Sequence, residues 1–129
     1  MFMMPEKNCY GDWPDSGEID LVEERGNDKL MATVNGKQQD IGASQIASTL
    51  HWGPYYGADP FDLTRNYSYN TGLWSKVYAN WTIDWTPAGF TASVNGNEYA
   101  NYPTPTEGFW KFGGFDKTDP NSFNQSMEF

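Results

Sequence analysis

Val77-Tyr78-Ala79-Asn80-Trp81-Thr82-Ile83-Asp84-Trp85-Thr86 carries apolar side chains at its odd positions and polar or hydroxyl-bearing ones at its even positions. A period of two marks a half-buried antiparallel strand, and it predicts a core face of Trp81, Ile83 and Trp85 with a wet face opposite. Working outward, Thr86-Pro87-Ala88-Gly89 reads as a turn, and Phe90, Ala92 and Val94 alternate with Thr91 and Ser93 as the partner strand. Asn95-Gly96 supplies the pair of positive-φ residues that a tight hairpin needs, so residues 97–102 should return as a third strand. Val34-Asn35-Gly36-Lys37 repeats that hairpin signal upstream. Residues 45–52 read as a further strand, with Ile46, Leu50 and Trp52 on one face and Ala47, Thr49 and His51 on the other. Residues 53–72 are rich in Gly, Pro, Asp, Asn and Tyr without any period, which predicts a long surface loop of the kind that tends to be functional. No segment sustains a helical repeat. The expected fold class is all-β, a two-sheet sandwich.

Composition sharpens this. The 129 residues hold 8 Lys and Arg against 17 Asp and Glu, a net charge of −9. Such a field repels phosphate backbones, so no nucleic-acid partner is expected. Only 13 Ile, Leu and Val stand against 6 Trp, 8 Tyr and 8 Phe, so rings must build much of the core or line a surface that uses them. No apolar run is long enough for a transmembrane helix, and no membrane partner is expected. Met1-Phe2-Met3-Met4-Pro5 lacks the basic region of a signal peptide and reads as the tail of a strand. Cys9 is the only cysteine, which excludes an internal disulfide or a cysteine metal cluster, and it is expected to be half-buried.

The densest chemistry lies in Gly17-Glu18-Ile19-Asp20-Leu21-Val22-Glu23-Glu24. In an unbroken strand Glu18, Asp20 and Val22 share one face and Glu23 points away. A β-bulge absorbing one residue near Leu21 or Val22 would return Glu23 to the face of Glu18 and Asp20. Four effective strand steps then separate the two Glu backbones by roughly 13 Å, and side chains leaning inward by about 4 Å each bring the carboxyls to about 5 Å, the spacing of a retaining glycosidase. Like charges this close shift one another, which suits a division between a proton donor and an ionised carboxylate. The competing reading is a charged edge strand facing water. A calcium site ranks below both, because the glycine-punctuated Asp/Asn loop is missing. Arg25 is expected in a solvated pair with Glu23 or Glu24.

The stretch Tyr10-Gly11-Asp12-Trp13-Pro14-Asp15-Ser16-Gly17-Glu18-Ile19-Asp20-Leu21-Val22-Glu23-Glu24-Arg25-Gly26-Asn27 resembles the active-site strand of glycoside hydrolase family 16, in particular the laminarinases and invertebrate β-1,3-glucan recognition proteins. Ser48-Thr49-Leu50-His51-Trp52-Gly53-Pro54, Trp85-Thr86-Pro87 and Gly108-Phe109-Trp110-Lys111-Phe112-Gly113-Gly114-Phe115 follow in matching order. The resemblance implies a β-jelly-roll in which residues 1–129 are part of one catalytic domain that has further strands at both ends. It implies Glu18 as nucleophile, Asp20 as the auxiliary acid and Glu23 as general acid/base, in hydrolysis of a β-glucan with retention. Trp13, Trp110 and His51 look like substrate contacts; core packing is the alternative for each Trp and a structural hydrogen bond for His51. The expected setting is a secreted monomer with no cofactor and no metal. A non-catalytic glucan-recognition protein and a generic sandwich module with an acidic face are the competing functions. Asn66-Tyr67-Ser68, Asn80-Trp81-Thr82 and Asn124-Gln125-Ser126 fit the glycosylation pattern, the second within a strand.

Overall fold

The computed structural model describes residues 1–115. Two antiparallel sheets face one another. The first contains β1 (Phe2–Met3), β2 (Glu18–Glu24), β5 (Gln45–His51) and β6 (Asn66–Tyr69), in the order β1-β2-β5-β6. The second is the meander β7 (Trp81–Thr86), β8 (Gly89–Val94) and β9 (Asn97–Pro103). A separate hairpin joins β3 (Met31–Val34) to β4 (Lys37–Asp40), and a short helix α1 (Gly108–Phe112) follows β9. The all-β sandwich expected from the alternation is what forms.

Both Asn-Gly hairpins form as expected, with Asn35 and Gly36 at φ 50° and 76° and Asn95 and Gly96 at 51° and 78°. Asn tolerates the left-handed region and Gly enters it freely, so the backbone twist of each turn matches its strands. The core lies between the sheets. Ile19, Leu21, Leu50 and Trp52 from one side meet Phe90, Ala92, Ala100 and Tyr102 from the other, with Phe109 of α1 closing one end. Trp52 anchors that closure, because its indole N–H donates to the Phe109 carbonyl at 2.8 Å while its ring stands edge-on to Phe109. Such a partner offsets the cost of burying the indole N–H.

Several expectations are corrected. The strand beginning at residue 77 starts at Trp81; Trp74–Lys76 is a 3₁₀ turn, and Val77 and Tyr78 are exposed. Trp85, expected in the core, is 51% exposed: it is the penultimate residue of the outer strand β7, past the part that covers the core, and its ring packs at the rim against Phe90. The loop 53–72 contains strand β6 and two 3₁₀ turns, Tyr56–Ala58 and Phe61–Leu63. Residues 45–52 do form a strand, β5 (Gln45–His51), and all seven of its residues are buried on both faces. Helix α1 has too short an apolar pattern to be seen as a period. Cys9 is exposed rather than half-buried. Asn80 is exposed just ahead of β7 rather than within it, and Asn124 lies outside the described residues. Among the described residues no helix is long and apolar enough to cross a membrane.

Leu50 has no exposed surface and sits at the centre of the core, between Thr49 and His51 on the opposite face. Truncation to Ala removes three buried carbons and leaves a cavity between the sheets. The expected loss in the full chain is about 2–5 kcal/mol, read from the denaturant midpoint.

Candidate active site

Register arithmetic locates the carboxylates. On β2 and β5, Glu18 pairs with His51, Asp20 with Thr49, and Glu23 with Ala47. The register shifts by one residue between Asp20 and Glu23, so β2 carries the bulge expected from the sequence. Because Ala47, Thr49 and His51 share one face of β5, their partners Glu18, Asp20 and Glu23 share it as well. Ile19 and Leu21 keep the opposite face and remain in the core. The bulge is held from several directions. The Ser48 hydroxyl donates to the Asp20 carbonyl at 2.7 Å, the Tyr99 hydroxyl donates to the Leu21 carbonyl, and the N–H groups of Leu21 and Val22 donate to the Met1 carbonyl.

Glu18 is half-buried and accepts a hydrogen bond from the Trp13 indole N–H at 2.7 Å. Burial raises its carboxyl pKa above the usual range, with Asp20 and Glu23 adding to the rise; the Trp13 hydrogen bond and the His51 charge oppose it. Asp20 is buried. His51 bridges two carboxylates, placing Nε2 2.9 Å from Asp20 Oδ2 and Nδ1 2.6 Å from Asp59 Oδ2. Ionised carboxylates only accept, so both ring nitrogens must carry hydrogen and the ring is the imidazolium. Burial pushes the imidazole down, but the hydrogen bonds and charges of Asp20 and Asp59 outweigh it and raise the pKa from 6.5 to about 9. With both nitrogens engaged and only 9% of the residue exposed, His51 has no free hydrogen bond for a substrate. Trp13 and Phe61 lie against its ring, with centroids at 5.5 and 5.9 Å.

Glu23 is held separately. Its Oε2 accepts from the Thr49 hydroxyl at 3.0 Å and lies 3.7 Å from the Arg65 guanidinium. Arg65 is fixed in turn, since its Nε donates to Thr49 Oγ1 at 3.2 Å and its guanidinium stacks 4.4 Å above the Phe61 ring. The neighbouring Thr64 hydroxyl bonds both the N–H and the carbonyl of Leu50, which fastens the start of β6 to β5. Arg25, expected beside Glu23 or Glu24, instead donates to the Ile41 carbonyl and to Gln45 Oε1.

Trp13 is therefore at the carboxylates, touching Glu18, His51 and Tyr56. Trp110 sits on α1, with its ring 4.9 Å from that of Phe115. Phe115 lies along Gly53, close enough to crowd any side chain there, so α1 borders the end of β5 two residues beyond His51. Sequence reading missed Thr49, Asp59, Phe61 and Arg65. Thr49 was within reach, because it shares the strand face of His51; the other three come from the loop flagged only by its length. One oxygen or nitrogen from each of Glu18, Asp20 and His51 lies within 4.8 Å of the others, a spacing that could hold a cation. In this structure both ring nitrogens of His51 are turned to Asp20 and Asp59.

Chemically, the site is a pair of differently held glutamates with a buried aspartate between them. Sequence comparison places the chain among proteins named for β-1,3-glucan. The chain is 35% identical over 115 residues to a β-1,3-glucan-binding protein of Penaeus monodon, covering 88% of this chain and 29% of that protein. It is 33% identical over 94 residues to a glucan endo-1,3-β-glucosidase of Cryptopygus antarcticus, covering 64% of this chain and 29% of that enzyme. This chain is a relative of the laminarinases and β-1,3-glucan recognition proteins of glycoside hydrolase family 16. Glucan endo-1,3-β-glucosidase A1 of Niallia circulans is 27% identical over 84 residues, 65% of this chain and 12% of the enzyme. The chain thus spans under a third of the length of these relatives. No family model matches the chain, and no solved structure matches it significantly.

The charge on His51 makes a pH prediction. Its folded pKa of about 9 lies above the ordinary 6.5, so its pairing stabilises fully below pH 6.5 and fades as pH rises through 9. Imidazole NMR signals of the full chain should titrate near 9, and Asp59→Asn should move that midpoint down. A midpoint that Asp59→Asn leaves in place would contradict the bridge.

Proposed function

We propose that the chain carries the reacting centre of a secreted, retaining endo-β-1,3-glucanase, and that residues 1–129 are part of a larger catalytic domain. The observation that carries this reading is the bulge in β2, which sets Glu18 and Glu23 on one face of the sheet with separate supports. Retaining hydrolysis needs a nucleophile and an acid/base on one cleft.

In the first step the Glu18 carboxylate oxygen bonds the anomeric carbon, the glycosidic C–O bond breaks, and the leaving oxygen takes its proton from Glu23. Thr49 and Arg65 hold Oε2 of Glu23, which leaves Oε1 to face the leaving oxygen. In the second step Glu23 accepts a proton from water, the water oxygen attacks the anomeric carbon, and the ester to Glu18 breaks. Asp20 maintains negative charge beside Glu18, and His51 acts through Asp20 rather than on the sugar. Trp13 and Trp110 pack against the apolar faces of sugar rings. The names of the relatives also support a second reading, a glucan-recognition protein that binds without turnover.

Laminarin incubated with the full-length protein should release reducing ends. Glu18→Gln should abolish release while binding persists. Glu23→Ala should slow laminarin cleavage by roughly 10²–10⁴-fold, yet spare an aryl glycoside whose leaving group needs no proton. A parent protein that binds laminarin and releases nothing would establish the second reading instead.

The acid limb of the rate supplies a further check. A nucleophile works only when ionised, so activity falls as pH drops through the raised pKa of Glu18. Trp13→Phe removes the hydrogen bond that holds this pKa down and should shift the acid limb of kcat to higher pH. An unmoved limb would exclude Trp13 from tuning Glu18.

A further inference from the structure

An Asn-x-Ser/Thr triplet accepts an N-linked glycan only where its amide and its hydroxyl both reach solvent. The triplets of this chain differ in that respect. Asn66 and Ser68 are half-buried within β6, and the Asn66 side-chain amide donates to the Thr64 carbonyl at 3.2 Å. Pairing with Ser48 and Ile46 of β5 holds both residues inside the first sheet. Asn124 lies outside the described residues.

Asn80-Trp81-Thr82 is placed differently. Trp81 and Ile83 pack against the core, so Thr82 between them points to the outer side of the second sheet, where it is exposed. Alternation carried back from Thr82 puts Asn80 on the same outer side, and Asn80 is exposed as well. Its backbone is fixed to the Asn95-Gly96 hairpin: the Asn80 N–H donates to Asn95 Oδ1 at 2.9 Å, and the Asn80 carbonyl accepts from the Asn95 N–H at 2.9 Å. Its side-chain amide has no hydrogen bond among the described residues. One further step back stands Tyr78, which is fully exposed. Two residues of extended chain cover about 6.6 Å, so a sugar attached to Asn80 reaches the Tyr78 ring. The C–H face of a pyranose packs on such a ring and removes apolar surface of both from water.

We propose that Asn80 is an N-glycosylation site and that the first sugar of its glycan lies over the Tyr78 ring. The inference rests on the secreted setting proposed above and not on turnover. In the transfer, Asn80 Nδ2 bonds the anomeric carbon of a lipid-pyrophosphate-linked oligosaccharide. The C–O bond to the pyrophosphate breaks, its electron pair leaves with the pyrophosphate, and Nδ2 gives up one proton. The position also keeps the carboxylates clear. Glu18, Asp20 and Glu23 occupy the outer face of the first sheet and Asn80 the outer face of the second, so a bulky glycan stands on the far side of the sandwich from them.

Trypsin cuts after Arg65, Lys76, Lys111 and Lys117, which puts the three triplets in separate peptides. The test expresses the full-length protein in insect cells, collects it from the medium, and weighs the peptides before and after an amidase that releases N-glycans and leaves Asp at the acceptor. Peptide 77–111 should carry the glycan and show the conversion to Asp, while peptide 66–76 stays unmodified. Thr82→Ala should abolish the modification, and Thr82→Ser, which keeps the hydroxyl, should retain it. On protein carrying Asn124→Gln, which leaves Asn80 as the modified acceptor, release of the glycan should lower the melting temperature by about 2–4 °C. Adding Tyr78→Ala should keep the glycan and lose most of that shift; an equal shift overturns the role of the ring. Secreted protein with peptide 77–111 unmodified overturns the site and leaves the secreted setting standing. Protein found only inside the cells, with Asn80 unmodified, overturns both.

Discussion

One surplus residue in β2 governs both faces of the first sheet. A strand alternates strictly, so the sequence Glu18-Ile19-Asp20-Leu21-Val22-Glu23 cannot place all three acids together without a break in register. The break between Asp20 and Glu23 lets Ile19 and Leu21 enter the core while Glu18, Asp20 and Glu23 face the other way. A bulge exposes backbone groups that the regular ladder would have used. Ser48 and Tyr99 accept that task by donating to the carbonyls of Asp20 and Leu21 respectively, and Tyr99 reaches Leu21 from the opposite sheet. The site is thus braced through the core, because the residue that fixes the bulge also packs against the sandwich interior.

An acidic chain that gathers three carboxylates must offset their repulsion locally. Each acid has its own remedy. Glu18 is met by a neutral indole donor, Asp20 by a buried imidazolium, and Glu23 by a hydroxyl and a guanidinium. Burial makes the partner of Asp20 effective, since charges and dipoles act more strongly where water is excluded, whereas Glu23 is exposed. The imidazolium is retained because Asp59 stands on its other side. One cation between two carboxylates leaves that unit negative, which is consistent with the raised carboxyl of Glu18 beside it.

The ring-rich composition resolves into separate uses. Trp52, Phe90, Tyr102 and Phe109 do the work of aliphatic side chains between the sheets. Trp13, Tyr56 and Phe61 surround the charged groups, where a ring contributes shape and, in Phe61, a face for Arg65. Others, such as Tyr67 and Trp85, remain exposed along strand surfaces.

The amino-acid sequence determined what depends on short-range order. Alternation set the strands of the β7–β9 meander, Asn-Gly pairs set two hairpins, and the spacing of Glu18, Asp20 and Glu23 required a bulge, because these are properties of a few consecutive residues. Tertiary structure alone decided which distant groups support the acids. Nothing local joins Asp59 to His51 or Arg65 to Glu23; they meet because β6 and the preceding 3₁₀ turns pack beside β5. Likewise Trp85 follows the same alternation as Ile83 on the same strand, yet Ile83 packs against the core while Trp85, near the end of β7, is exposed. Pattern reports which face a side chain occupies, whereas the arrangement of strands and loops decides what that face meets.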